Sequence, residues 1–113
     1  MAVTDENYFD WPVLPEAPNS LNLSLAGNTA KLSWEEHGDN RTGIVVERST
    51  GNNGAGAEKE TWSRIARLSA TATEYADSTL KKGARFAYRV RAINDDGESA
   101  YSNIARGSFS MTP

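Results

Sequence analysis

The sequence predicts an all-β domain, a two-layer antiparallel sandwich of seven short strands. Beyond Pro18, apolar and polar residues alternate with a period of two over short runs, the pattern of half-buried strands. Turn-forming pairs such as Gly27-Asn28 and Asp96-Gly97 punctuate those runs. No segment of the domain sustains a 3.6-residue apolar period with caps, so no helix is predicted.

The elements follow in order. Residues 1–17 carry Pro12, Pro15 and the aromatic cluster Tyr8, Phe9 and Trp11. Proline stiffens the backbone, so this stretch reads as a semi-rigid approach segment, with the aromatics expected to pack on the domain edge or a preceding domain. A docking peptide is the competing reading. The domain is placed at 18–108 and a short tail at 109–113. Leu21, Leu23 and Leu25 alternate with Asn22 and Ser24, and Ala30, Leu32 and Trp34 continue the rhythm beyond Gly27-Asn28, which makes a hairpin. After the loop EHGDNRTG, Ile44 to Ser49 is a third strand. TGNNGAGAEKE reads as a long mobile hairpin tip. Thr61 to Leu68 is the fourth strand, Glu74 to Asp77 the fifth and Phe86 to Ala92 the sixth. Tyr101 to Arg106 is the last.

Composition narrows the functional classes. A chain of 113 residues has room for one domain. With no cysteine, disulfide scaffolding and thiolate chemistry are excluded. A net charge of −3 argues against a partner that presents a phosphate backbone, so nucleic acid is not expected. The longest aliphatic run, Ile44-Val45-Val46, is far too short for membrane insertion. The opening MAVTDENYFD lacks the apolar segment of a signal peptide, leaving either a cytoplasmic protein or a piece of a longer exported chain. Charge is uneven: residues 1–60 hold 10 acids and 4 bases, residues 61–113 hold 5 acids and 8 bases. Strands from the two halves are therefore expected to attract across a sheet.

Leu32-Ser33-Trp34, IVVERST, Trp62 with Ile65, Tyr75-Ala76-Asp77 with Leu80, and GARFAYRVRAINDDGESAYSN occur in an order and spacing that resemble the fibronectin type III family, in the style of bacterial extracellular proteins. The resemblance covers about Glu16 to Ser108. It implies an immunoglobulin-like sandwich whose core holds Leu32, Trp34, Ile44, Val46, Leu80, Phe86, Tyr88 and Val90. Two positions depart from the family pattern. Phe86 stands where a tyrosine usually bonds the preceding loop, so the connection near Leu80 is expected to be less tightly tied, and Ile44 replaces another tyrosine. NDDGES stands in the loop where some members carry Arg-Gly-Asp, so integrin binding is not implied.

The resemblance also implies that strands three, four, six and seven share a sheet. Its outer face then presents Val45, Glu47, Trp62, Arg64, Arg89, Arg91 and Tyr101, because side chains alternate across a strand. The preferred reading is a self-satisfied ladder on the solvated side, with the arginines as its wet residues. A protein- or polysaccharide-binding face is the rival. His37 beside Glu35, Glu36 and Asp39 reads as a solvated loop rather than a metal site, and Asp95, Asp96 and Glu98 as a turn rather than a calcium loop. No nucleophile elbow or phosphate loop is present, so neither catalysis nor a cofactor is expected. The sequons at Asn22 and Asn40 matter only in a eukaryotic secretory pathway. By resemblance, the chain is expected to be an extracellular or cell-surface spacer that is monomeric in isolation. Its partners are then the neighbouring domains of a glycan-active enzyme or surface protein.

Overall fold

The computed structural model describes residues 13–50, 61–81, 83 and 85–109. Eight strands form: β1 (Asn19–Ala26), β2 (Thr29–Glu35), β3 (Gly43–Thr50), β4 (Ser63–Leu68), β5 (Glu74–Asp77), β6 (Arg85–Asn94), β7 (Gly97–Glu98) and β8 (Ala105–Ser108). They make two antiparallel sheets. One has the order β1-β2-β5; the other runs β4-β3-β6-β7, with β8 also paired to β6. No helix occurs among the described residues. The fold is the expected all-β sandwich.

Period-two burial builds the core. In β2, Ala30, Leu32 and Trp34 point inward; in β6, Phe86, Tyr88, Val90 and Ala92 do. They meet Leu21, Ile44, Val46 and Leu80 between the sheets, so every residue assigned to the core from sequence lies in one cluster. Trp34 is 5% exposed, and its indole N–H donates to Glu36 Oε2 and to the Ala72 carbonyl at 3.1 Å. Gly27, at φ 60°, makes the β1–β2 turn that its lack of a Cβ permits.

Polar groups tie the two sheets together. Asp77 on β5 accepts hydrogen bonds from the Tyr88 hydroxyl of β6 at 2.6 Å and from Arg48 Nη1 of β3 at 2.7 Å. Thr79 adds its backbone N–H at 3.0 Å and its hydroxyl at 2.6 Å. Phe86 has no hydroxyl, and Tyr88, one inward step further along β6, bonds the strand β5 instead. At the other margin the Asn103 amide grips Leu21 like a partner strand, accepting from its N–H at 2.8 Å and donating to its carbonyl at 3.0 Å.

The final strand differs from expectation. Tyr101 to Arg106 is not one strand: pairing stops after Glu98 and resumes at Ala105. In the gap Ser99 and Ser102 replace the ladder. Their backbone N–H groups donate to the Ala92 and Val90 carbonyls, while their hydroxyls accept from the N–H groups of the same two residues at 2.9 and 3.0 Å. A hydroxyl substitutes for a carbonyl, so the backbone can turn away without orphaning β6.

The packed unit is also longer than 18–108. The Val13 N–H donates to Asp96 Oδ2, and the Val13 carbonyl accepts from Asn94 Nδ2 at 2.9 Å. Asn40 Nδ2 reaches the Val13 and Leu14 carbonyls, both at 3.2 Å, while Pro15 and Pro18 are buried. Phe109, assigned to the tail, stacks obliquely on Phe86 with ring centroids 5.3 Å apart. Tyr8, Phe9, Trp11 and residues 51–60 of the proposed mobile tip lie outside the described residues.

Candidate functional site

The outer face of the five-stranded sheet brings the sequence-selected residues together. Strand register sets two rows: Arg64–Glu47–Arg89 and Arg67–Val45–Arg91, read across β4, β3 and β6. Rows two residues apart along a strand are separated by about 7 Å. Trp62, immediately before β4, and Tyr101, in the gap between β7 and β8, flank the rows.

At the centre, the Glu47 carboxylate is surrounded by donors. Its Oε1 accepts from Arg89 Nε at 2.9 Å and lies 2.8 Å from Arg89 Nη2. Its Oε2 accepts from the Tyr101 hydroxyl at 2.9 Å, with Arg91 Nη2 at 3.7 Å. The Arg89 guanidinium sits 4.2 Å from the Trp62 ring centre and 3.7 Å from that of Tyr101. Arg91 also lies over Tyr101, at 4.4 Å, and pairs with Glu98 at 3.0 Å; Arg64 is 4.0 Å from Glu98. Burial, reinforced by the Glu47 carboxylate, raises the Tyr101 pKa, so the hydroxyl stays a hydrogen-bond donor at neutral pH.

This geometry corrects the picture of a solvated ladder. Val45 is 0% exposed and Glu47 7%, although both point outward; Ser49 is likewise buried. The arginine stems and the two aromatic rings lie over them, forming a thin second packing layer on the face opposite the core. Arg89 and Arg91 are accordingly about four-fifths covered, with side chains 21% and 19% exposed. Neither is a freely solvated residue. Arg91 Nε and Ser49 Oγ are buried without an acceptor or donor. The arrangement holds charges in place and offers no nucleophile.

The other candidates separate clearly. His37 is exposed, and its Nε2 lies 3.0 Å from Asn19 Oδ1. Glu36, expected in solvent, is buried: its side chain is 7% exposed, takes the Trp34 indole N–H and stands 3.2 Å from Arg41 Nε. Burial raises its pKa against the opposing pull of Trp34, Arg41 and His37. The signal was available, because the alternation Leu32, Trp34 continues to position 36. Among the described residues no group of three or more acidic or histidine side chains could hold a metal ion. At the Asp95-Asp96 turn the Asn94 side-chain carbonyl accepts from the N–H groups of Asp96 and Gly97, at 2.8 and 3.1 Å. This is an Asx turn. An open depression of about 170 Å³ on the other sheet is lined by Asn22, Ser24, Lys31, Leu32, Ser33 and Glu74 and has no aromatic wall.

No family model matches the chain. Among solved structures, it is similar to an Fn3-like protein from Clostridium thermocellum: 28% identity, TM-score 0.66, covering 86% of this chain and 95% of that one. Two such sheets, the interior Trp34 and a match over nearly all of that Fn3-like chain agree on the fold. The chain has the fibronectin type III fold. The same domain matches part of titin kinase and its flanking domains at 22% identity and TM-score 0.68, covering 85% of this chain and 17% of that one. It also matches part of pectate lyase PelI from Erwinia chrysanthemi, in complex with tetragalacturonic acid: 22% identity, TM-score 0.65, covering 80% of this chain and 28% of that one. The chain thus spans a minor share of these two longer proteins.

Proposed function

We propose that this fibronectin type III domain is a non-catalytic spacer in a larger exported or cell-surface protein, holding neighbouring domains apart. The observation that carries the reading is where the described chain enters and leaves. Val13 is tied to Asn94 and Asp96 at one end of β6, while Ser108 pairs with Arg85 at the other end. Nine residue steps of strand separate those ends, about 30 Å. Both attachments are anchored, so the domain sets a distance and a direction between whatever flanks it. The similar domains in titin kinase and a pectate lyase, both part of longer chains, support this role; the pectate lyase favours a glycan-active parent.

A carbohydrate-binding face that works by ring stacking is disfavoured. Trp62 and Tyr101, the aromatic residues of the outer face, already sandwich Arg89. To test the spacer role, a folded reporter domain is fused at each end and the reporter separation is measured by pulsed electron spin resonance. One narrow distance distribution is expected, unaltered by Arg89→Ala. A broad distribution would refute the role.

A further inference from the structure

Six of the chain's eight arginines fall on one surface. Arg64 and Arg67 lie on β4, Arg85, Arg89 and Arg91 on β6, and Arg106 on β8, each at an outward position of the five-stranded sheet. Among the described residues the carboxylates that pair with them are Glu47 and Glu98, so arginines outnumber acids on this face of a chain whose net charge is −3. The opposite sheet shows the reverse: its outward charges are Lys31 against Glu35 and Glu74. The sequence half that is rich in bases is not merely complementary to the acidic half. It builds an arginine plate.

We infer that this plate binds a carboxylated polysaccharide, a chain of uronic acid residues. The inference rests on the spacer reading above and gives the spacer a ligand. The face is a flat grid, about 20 Å long from Arg85 to Arg91, and suits an extended ligand with repeating charge. Guanidinium groups accept carboxylates in fork-to-fork geometry, and arginine is the side chain that does so best. A ligand recognised by stacking, such as a nucleic-acid base, uses open aromatic faces. Arg89 lies over one face of each ring here, and charge is the recognition chemistry that the arginines offer. Glu47 fixes Arg89 at the centre, while no carboxylate pairs with Arg67 or Arg85 among the described residues; these two exposed arginines present their charge to the ligand.

The test is an NMR titration of the whole chain with a glucuronate oligomer. A glucose oligomer of equal length, poly-glutamate and single-stranded DNA serve as comparisons. Amide shifts confined to β4, β6 and β8 with the glucuronate oligomer, abolished by high salt and absent with glucose, are expected. Arg67→Glu with Arg85→Glu should raise the dissociation constant about tenfold or more. Lys31→Glu on the far sheet should leave it unchanged, and the core resonances of each variant report that it is folded. Silence with glucuronate, an equal response to glucose, binding only to poly-glutamate or DNA, or equal loss in Lys31→Glu would overturn the inference. The reporter-distance measurement would stand in each case, so the two readings fail separately.

Discussion

Asp77 gathers four hydrogen bonds between the two sheets. Burial pushes its carboxyl up, but the hydrogen bonds from Thr79, Tyr88 and Arg48 outweigh that and hold it down at about 2. A folded pKa below the unfolded value means that this stabilisation is fully present above pH 3.8 and is lost as pH falls toward 2. The shift corresponds to about 2 kcal/mol, and Asp77 is only 3% exposed, so little of it is screened by solvent. Chemical denaturation between pH 6 and 2 should therefore show a stability loss of that size, absent from Asp77→Asn. Tyr88→Phe removes one donor to the same carboxylate and should cost about 1–3 kcal/mol at neutral pH. Glu36 has the opposite sign. Its raised pKa means stability is lost as pH rises through the folded value, so the wild type should gain slightly on mild acidification and Glu36→Gln should not.

Among the elements, β6 is the organiser, flanked by β3 on one side and by β7 and β8 on the other. The broken final strand leaves its Val90 and Ala92 N–H groups dependent on the Ser102 and Ser99 hydroxyls. Ser102→Ala would orphan a buried donor and should lower stability by about 1–3 kcal/mol, with faster hydrogen exchange at the Val90 amide. Gly107 on β8 is constrained by space: a Cβ there would lie 2.9 Å from both Leu23 Cδ2 and Phe86 Cε1. Gly107→Ala should cost about 1–3 kcal/mol by overpacking, measured as a lower denaturation midpoint. Alternation made β2, β3 and β6 readable because each sends apolar residues inward at successive alternate positions, Ala30 to Trp34, Ile44 to Val46 and Phe86 to Ala92. The last strand was misread for a physical reason. Serine in a period-two pattern looks like a solvent-facing residue, whereas here its hydroxyl is buried and stands in for backbone. The ladder residues were legible by the same alternation, but not their burial, since an outward residue stays dry only if its neighbours' long side chains lie across it.

At the scale of the whole molecule, composition misplaced the boundary. Pro12 and Pro15 suggested a linker, and proline composition alone cannot separate a chain held in solvent from one already shaped for docking. The decisive partners are far away in sequence: Asn40 before β3, and Asn94 and Asp96 after β6. Gly97 shows how close the contact is. Its φ of 143° needs glycine, and a Cβ there would come within 2.9 Å of Leu14 Cδ2. A chain beginning at Pro18 would therefore lose more than a tether. It would free the side-chain amides of Asn40 and Asn94, leave Asp96 without the Val13 N–H, and expose the surface that Pro15 covers. Exposed hydrogen bonds of this kind contribute about 0.5–1.5 kcal/mol each, and water partly replaces them. Removal of residues 1–17 should therefore lower stability by about 1–3 kcal/mol in urea denaturation. Amide protection should fall first in the loops around Asn40 and Asn94. If the shortened chain instead matched the full one in both measurements, Val13 to Ala17 would be a passive leader, and the anchored end on which the spacing role depends would be gone.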